Sequence, residues 1–414
     1  MLSAEAAPDV PPSGADLAWY VDDLKRNGIR RVHVLAWRDL DDVDAGGSEV
    51  HADELMSRWA ANGLDVLHRT SAAVGLPATD TRNGYAVVRR GSRYSVFPRT
   101  IASELTRRMG RSDALVEIWN GVPWFSPVWC RKPHITVLHH VHGPMWDQIL
   151  PGPLAAFGRA LESRIAPPFY RRTLTITPSD ATRQELLELG FRTDRVRAFP
   201  NGVDSFFSPG GVKTASPSIL AVGRLAPVKR FELVIDAAIE ARGRVPGLTA
   251  TIIGEGPLRG DLQQRIDAAG ASGWIHIRGR IDRHELVAEY RRAWLVVSGS
   301  LAEGWGLSLT EGAACGTPAV ATDIRGHRSS VVAGVTGLLV EPPLLGPTIA
   351  DVLTDDRRRQ QLAAAALARA RTLTWDASAL GITRCLHAEV VRSRSRATPV
   401  ASRGVSGAGR RSRE

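Results

Sequence analysis

Two cations stand where an apolar run gives way to a helical one. In Val222-Gly223-Arg224-Leu225-Ala226-Pro227-Val228-Lys229-Arg230, Arg224 and Lys229 fall between a strand end and a helix start. Free N–H groups and the helix dipole favour an anion there, so the pair suits a diphosphate; alone, two loop cations can equally be solvated. A second run, Glu303-Gly-Trp-Gly-Leu-Ser-Leu-Thr-Glu311, follows the apolar stretch WLVVSGS. Its glycines allow close backbone approach to a ligand. If the segment were all helix, its two carboxylates would lie about 12 Å apart along the axis, at ~1.5 Å per residue. They therefore address different parts of one ligand and do not form a close catalytic dyad. A helix whose first turn carries acids to suit its dipole would explain Glu311, but not Glu303 beside two glycines.

Three weaker signals lie in the first half. Ala45-Gly46-Gly47-Ser48-Glu49 is a Gly-Gly turn opening a helix, able to present N–H groups to a phosphate, although turns use glycine for backbone reasons alone. His139-His140-Val141-His142 closes a strand. Alternation there puts His140 and His142 on one face and His139 on the other, which disfavours a metal site. Asp42-Val43-Asp44 spells a DxD metal motif, but within the acidic loop LDDVD it reads as a solvated loop. Neither a P-loop nor a GxGxxG dinucleotide fingerprint occurs.

The elements that must position these residues alternate regularly. RVHVLAW (31–37), LDVLH (64–68), YAVV (85–88), ALVEIW (114–119), HITVLHH (134–140) and TLTITPS (173–179) read as buried parallel strands with helical stretches between them. After Pro200 a Gly/Pro/Ser-rich stretch reads as a linker. The rhythm then restarts with strands at 218–223, 249–254, 274–278, 294–300, 318–322 and 337–340, and helices over 230–243, 257–269, 283–292 and 308–315. The fold class expected is therefore α/β, two doubly wound domains in series with the ligand in the cleft between them. The division expected is an extension at 1–27, an N-terminal domain at 28–200, a C-terminal domain at 201–374, a helix over about 375–391 packing back on the first domain, and a disordered basic tail at 392–414.

Composition excludes several classes. With 43% apolar and 23% charged residues, 414 residues suit two or three soluble domains of about 150 residues each. Cys130, Cys315 and Cys385 have no zinc-like spacing. The net charge of +10 is concentrated in residues 392–414, which hold seven arginines and one glutamate, so a nucleic-acid partner is not expected. Without a signal peptide or an apolar span, a cytoplasmic location is expected. The basic tail could add peripheral contact at the inner face of the plasma membrane, or be a solvated segment without a role.

Taken jointly, GGSE, the strand-end histidine, PNGVD (200–204), VGRLAPVKR, IIGEGP (252–257), GRID (279–282) and EGWGLSLTE resemble the retaining glycosyltransferases of family 4, over residues 30–391. The resemblance implies the GT-B fold, two Rossmann-like domains facing a central cleft, and transfer of a sugar from a nucleotide-diphospho-sugar, UDP- or GDP-linked, to an acceptor hydroxyl with retention. It implies no cofactor and no metal. By resemblance, Arg224 and Lys229 hold the diphosphate with the Gly47 N–H opposite, and Glu303 lies at the donor sugar. Gly304, Trp305, Gly306 and Leu307 form the backbone loop around the sugar and phosphate, Glu311 meets the ribose, and the Ile281 backbone meets the base. His139 matches the catalytic strand-end histidine, with His140 one residue on. Trp305 stands where the family more often has Phe, and GHRSS (326–330) departs from its small-residue loop; both bear on which sugar is taken. Hydrolysis or epimerisation of a nucleotide sugar, or its non-catalytic binding, are the alternatives, and the acceptor, whether glycan, lipid-linked or small molecule, is not legible.

Overall fold

The protein is described here by a computed structural model over residues 14–397. The first half forms an eight-stranded sheet from β1 (Arg31–Leu35), β2 (Asp65–Thr70), β3 (Thr79–Arg82), β4 (Tyr85–Arg89), β5 (Ala114–Trp119), β6 (His134–Leu138), β7 (Leu174–Thr177) and β8 (Val196–Ala198). Its order is β3-β4-β2-β1-β5-β6-β7-β8, parallel throughout except for the antiparallel β3–β4 hairpin. That hairpin turns on Asn83-Gly84, both at positive φ, which matches the right-handed twist of the two strands. The second half forms a six-stranded parallel sheet from β9 (Ser218–Val222), β10 (Thr249–Ile253), β11 (Ile275–Ile277), β12 (Leu295–Ser298), β13 (Ala319–Thr322) and β14 (Gly337–Val340), in the order β11-β10-β9-β12-β13-β14.

Both sheets are doubly wound. β1 lies between β2 and β5, and β9 between β10 and β12, so the chain reverses winding direction beside each first strand and opens a crevice at the carboxyl ends. The loops leaving β1, β6, β9 and β12 carry the candidate residues into those crevices. Each sheet has its own core: Val34, Val116 and Ile135 with Trp59 in the first, and Ile219, Ile252 and Leu295 with Ile235 in the second.

Two expectations about the ends are corrected. Residues within the expected 1–27 extension form a helix, Leu17–Arg26, whose Tyr20, Val21 and Leu24 are buried. The last helix runs Trp375–Ala397, six residues into the segment expected to be a disordered tail; the rest of that tail lies outside the described residues. These helices pack on each other and on the first sheet, although the second follows the second sheet in sequence. His387 Nε2 sits 2.6 Å from Asp23 Oδ2, the Trp59 indole N–H donates to Thr383 Oγ1 at 2.7 Å, and Ile382 and Leu386 join the first core. The chain thus crosses between the sheets twice, and the crossings touch: the Val203 N–H donates to Leu373 O at 2.9 Å. A side chain at Gly202 would collide with the backbone of Trp375. Among the described residues, no helix is long and apolar enough to cross a membrane.

Candidate active site

The loop after β9 leads into a short 3-10 turn, Pro227–Lys229, ahead of the helix Phe231–Arg242. This turn aims Lys229 at the loop after β12, where its Nζ meets Glu303 Oε1 at 2.8 Å. The Ser300 hydroxyl donates to the same oxygen, and His327 Nε2 stands 3.6 Å from it. Glu303 is partly buried, its side chain 10% exposed, and burial pushes its carboxyl up. Lys229 and His327 outweigh burial, holding it well below the usual carboxylate range, so it is an anion. The hydrogen bonds to Glu303 from the described residues all fall on Oε1, which leaves Oε2 to accept from a ligand hydroxyl.

His327 is fully buried on the short helix Arg325–Ser330. Its Nδ1 sits 2.7 Å from the Thr322 carbonyl oxygen, which can only accept, so Nδ1 carries a proton and donates. Ser298 Oγ lies 3.1 Å from Nε2. Sequence reasoning marked GHRSS only as a departure and missed this contact; Gly326 enables it, since a side chain there would collide with the Glu303 carbonyl.

Across the cleft, β6 ends at Leu138 and the two following histidines part. His139 turns to the helix Gly47–Ala61, with its ring 4.8 Å from that of His51 and at 85° to it. Burial pushes His139 well down and His51 down to about 4, so both are neutral, and neither ring nitrogen of His139 has a hydrogen-bond partner among the described residues. His140 is the one facing the second domain. Burial pushes it down to about 3 with His142 adding to the effect, while Glu162 and Glu303 pull the other way and Lys229 also acts on it. His139 is the expected catalytic residue, with His140 one residue on, and the EGWG loop borders both: a Cβ at Gly304 would collide with the His139 carbonyl and lie 3.3 Å from His140 Cβ. Alternation at the strand end sends consecutive side chains to opposite sides, and His140 feels the charges of Glu303 and Lys229, with its Nε2 unpartnered among the described residues.

The glycines of the EGWG loop are there for space. A side chain at Gly304 would collide with the His139 carbonyl, and one at Gly306 would sit 3.0 Å from both Leu309 Cδ1 and Ser330 Oγ. Trp305 is buried, with its indole N–H unpartnered among the described residues. Leu307 starts the helix Leu307–Ala314 and abuts Gly47, where a Cβ would lie 2.9 Å from Leu307 Cδ1. Gly47 in turn begins its own helix, whose Glu49 Oε2 accepts from the Gly46 N–H at 2.8 Å. The first N–H groups of that helix have no intrahelical partner.

Glu311 and Ile281 lie together, apart from Glu303. The Tyr290 hydroxyl donates to Glu311 Oε2 at 2.7 Å; burial pushes this carboxyl up, against the Tyr290 hydrogen bond and the charge of Arg283. Ile281 and Phe206 pack, partly buried, against the cluster that holds Tyr290 and Val287. Arg224 reaches across the cleft to Asp44, Nη1 to Oδ1 at 3.5 Å. The DxD loop is therefore not simply solvated: Asp42 is buried, Arg93 also pairs with Asp44, and Arg38 donates to the Asp44 carbonyl. Among the described residues, no three His, Cys, Asp or Glu side chains are placed to hold a metal ion together.

The matches to known proteins agree with this geometry. A family model described as Glycosyltransferase Family 4 matches residues 45–205, and one described as Glycosyl transferases group 1 matches residues 204–369. A D-inositol 3-phosphate glycosyltransferase of Frankia alni is 36% identical over 215 residues, 46% of this chain and 52% of the relative. One of Xylanimonas cellulosilytica is 26% identical over 389 residues, 81% of this chain and 90% of the relative. The chain thus spans about half the length of the first relative and nine tenths of the second. Among solved structures, Anabaena Alr3699/HepE in complex with UDP and glucose superposes with a TM-score of 0.65 at 17% identity, covering 89% of this chain and 100% of that one. The fold is that of the GT-B glycosyltransferases. Within that class, the chain belongs to glycosyltransferase family 4.

Proposed function

We propose that the protein transfers a glycosyl group from a nucleotide-diphospho-sugar to an acceptor hydroxyl with retention, without a metal, in the cytoplasm. The observation that carries this reading is the Lys229–Glu303 pair of the second domain, held in a loop whose Gly304 lies against the His139–His140 strand end of the first. The cations Lys229 and Arg224 take the diphosphate, and exchange their present carboxylate partners, Glu303 and Asp44, for phosphate oxygens. As the C1–oxygen bond to the β-phosphate breaks, its electron pair stays on the phosphate, where preorganised cations stabilise the growing charge. The acceptor oxygen bonds C1 from the face the phosphate leaves, and its proton passes to the departing phosphate oxygen.

Glu303 Oε2 holds a sugar hydroxyl, and neutral His140 offers a hydrogen bond without adding charge beside the positive sugar. Glu311 takes the ribose hydroxyls and the Ile281 backbone the base. A UDP-linked donor is supported by the UDP bound in the Anabaena structure, and an acceptor such as inositol 3-phosphate by the names of the curated relatives. The test is nucleoside diphosphate release from UDP- and GDP-sugars, with EDTA present, with and without a panel of acceptors including inositol 3-phosphate. Acceptor-dependent release is expected. Acceptor-independent release would assign a hydrolase, no release a binder, and loss of activity in EDTA restored by manganese would return attention to Asp42 and Asp44.

A further inference from the structure

A second functional surface lies on the outside of the first domain, on the run from 152 to 172. The helix Gly152–Ala160 passes through a π-helical turn, Leu161–Ile165, into the helix Pro167–Tyr170. Its inner stripe, Ala155, Gly158, Glu162, Ala166 and Tyr170, is buried. The remaining surface should then be polar, because a surface helix is apolar on one side only. Instead it exposes Leu154 by 55%, Phe157 by 58%, Ile165 by 41% and Phe169 by 49%. Phe169 also packs edge-on against Phe125, 5.6 Å between ring centres, beside the short helix Ser126–Trp129, where Val128 is exposed as well.

Arg159 pairs with the exposed Asp147, and the other surface charges along this segment are positive. Arg164, Arg171 and Arg172 are exposed and form no side-chain ion pair with the described residues, and no exposed acid lies between Leu150 and Thr173. A second copy of the same face would bring these arginines against each other, which disfavours a symmetric dimer. Large apolar side chains interleaved with unpaired guanidinium groups instead match the boundary between headgroups and acyl chains of an anionic bilayer.

We infer that this segment docks the protein on an anionic membrane surface. Phe157, Ile165 and Phe169 enter the acyl boundary, and Arg164, Arg171 and Arg172 meet lipid phosphates. The inner stripe ties this surface to the cleft. A side chain at Gly158 would sit 2.6 Å from Trp146 Cδ2, Trp146 stacks on His142, and Glu162 accepts from the His142 and Gly143 N–H groups at 2.8 and 2.9 Å. The His142 ring lies 4.4 Å from that of His140, so a docked protein holds the acceptor side of the cleft at the bilayer.

The experiment is co-sedimentation of the full chain with vesicles of phosphatidylcholine alone, and of phosphatidylcholine with an equal share of phosphatidylglycerol, at low and high salt. Binding to the anionic vesicles is expected, weakened by salt. Each surface cation contributes on the order of a fivefold gain, so Arg164→Gln/Arg171→Gln/Arg172→Gln should lower partitioning by about a hundredfold. Phe157→Gln/Phe169→Gln should lower it at both salt concentrations. All altered side chains are exposed, and the melting temperature checks that folding is kept. Wild-type vesicle binding by both variants would overturn the inference and place attachment elsewhere, as would self-association in sedimentation equilibrium that the Phe variant abolishes without any vesicle binding. Nucleoside diphosphate release in solution reads the proposed transfer separately, because none of these residues lies in the cleft.

Discussion

Replacing Lys229 by alanine perturbs two things at once. The ammonium group proposed to meet the diphosphate is lost, and removing one preorganised electrostatic stabiliser costs on the order of 10²- to 10³-fold in kcat. Glu303 also loses the largest of the influences that hold its carboxyl low against burial, so its pKa rises from its depressed position. In the free wild-type enzyme Glu303 stays ionised as pH falls through the usual carboxylate range, so it imposes no acid limb on kcat/KM. The matching stability contribution is full above that range and is lost as pH falls through it toward the depressed folded value. The Lys229→Ala protein should therefore show both the loss in kcat and a new fall in activity on the acid side. Arg224→Ala should cost less, because Arg224 is 41% exposed and already shared with Asp44, and its loss leaves Glu303 paired. Steady-state nucleoside diphosphate release across pH 4 to 8 measures both effects. A Lys229→Ala protein with near-normal kcat, or with a large loss but an unchanged pH profile, would refute the coupling of the two side chains.

Three further outcomes follow from the same geometry. His140→Ala should lower kcat by about tenfold, the worth of one hydrogen bond of about 1.4 kcal/mol, and His139→Ala should lower thermal stability more than kcat; the reverse result would assign the site to His139, as the sequence resemblance implies. Glu311→Ala should raise the donor KM by roughly ten- to a hundredfold with little change in kcat, since ribose hydroxyls hardly change during the reaction; an equal fall in kcat would place Glu311 at the reacting centre. Gly304→Ala should cost about 1–3 kcal/mol in denaturant unfolding or hold the cleft open, because its methyl would meet the His139 carbonyl, and an unchanged midpoint and KM would show that the loop has slack.

Much of this was legible because βα alternation is a strong local signal. The parallel strands other than the short edge strand β8, which was not expected, and the helices Phe231–Arg242 and Arg283–Arg292 lie within a residue or two of their expected places. β3 escaped because TDTR is polar and exposed, so only Asn83-Gly84 announced a hairpin. The first helix escaped although Asp16 caps it and Tyr20, Val21 and Leu24 recur at helical spacing; an acid- and proline-rich start drew attention away from them. The cluster itself combines the two kinds of information. Lys229 and Glu303 were marked by their motifs, but the choice between His139 and His140 depends on where β6 stops, and that is set by tertiary packing. His327 and Asp44 became visible only once loops distant in sequence met, since neither carries a local pattern that names its partner.

The central claim is that Lys229 exchanges Glu303 for a diphosphate, and the most direct measurement is the thermal shift of wild type and Lys229→Ala with UDP, GDP, UMP and uridine. A diphosphate at a hundred times its dissociation constant should stabilise the wild type by about 2.7 kcal/mol. The account predicts a raised melting temperature with at least one of the two diphosphates, little with UMP or uridine, and loss of the shift in Lys229→Ala. An equal shift by UMP and UDP, or an undiminished UDP shift in Lys229→Ala, would contradict it.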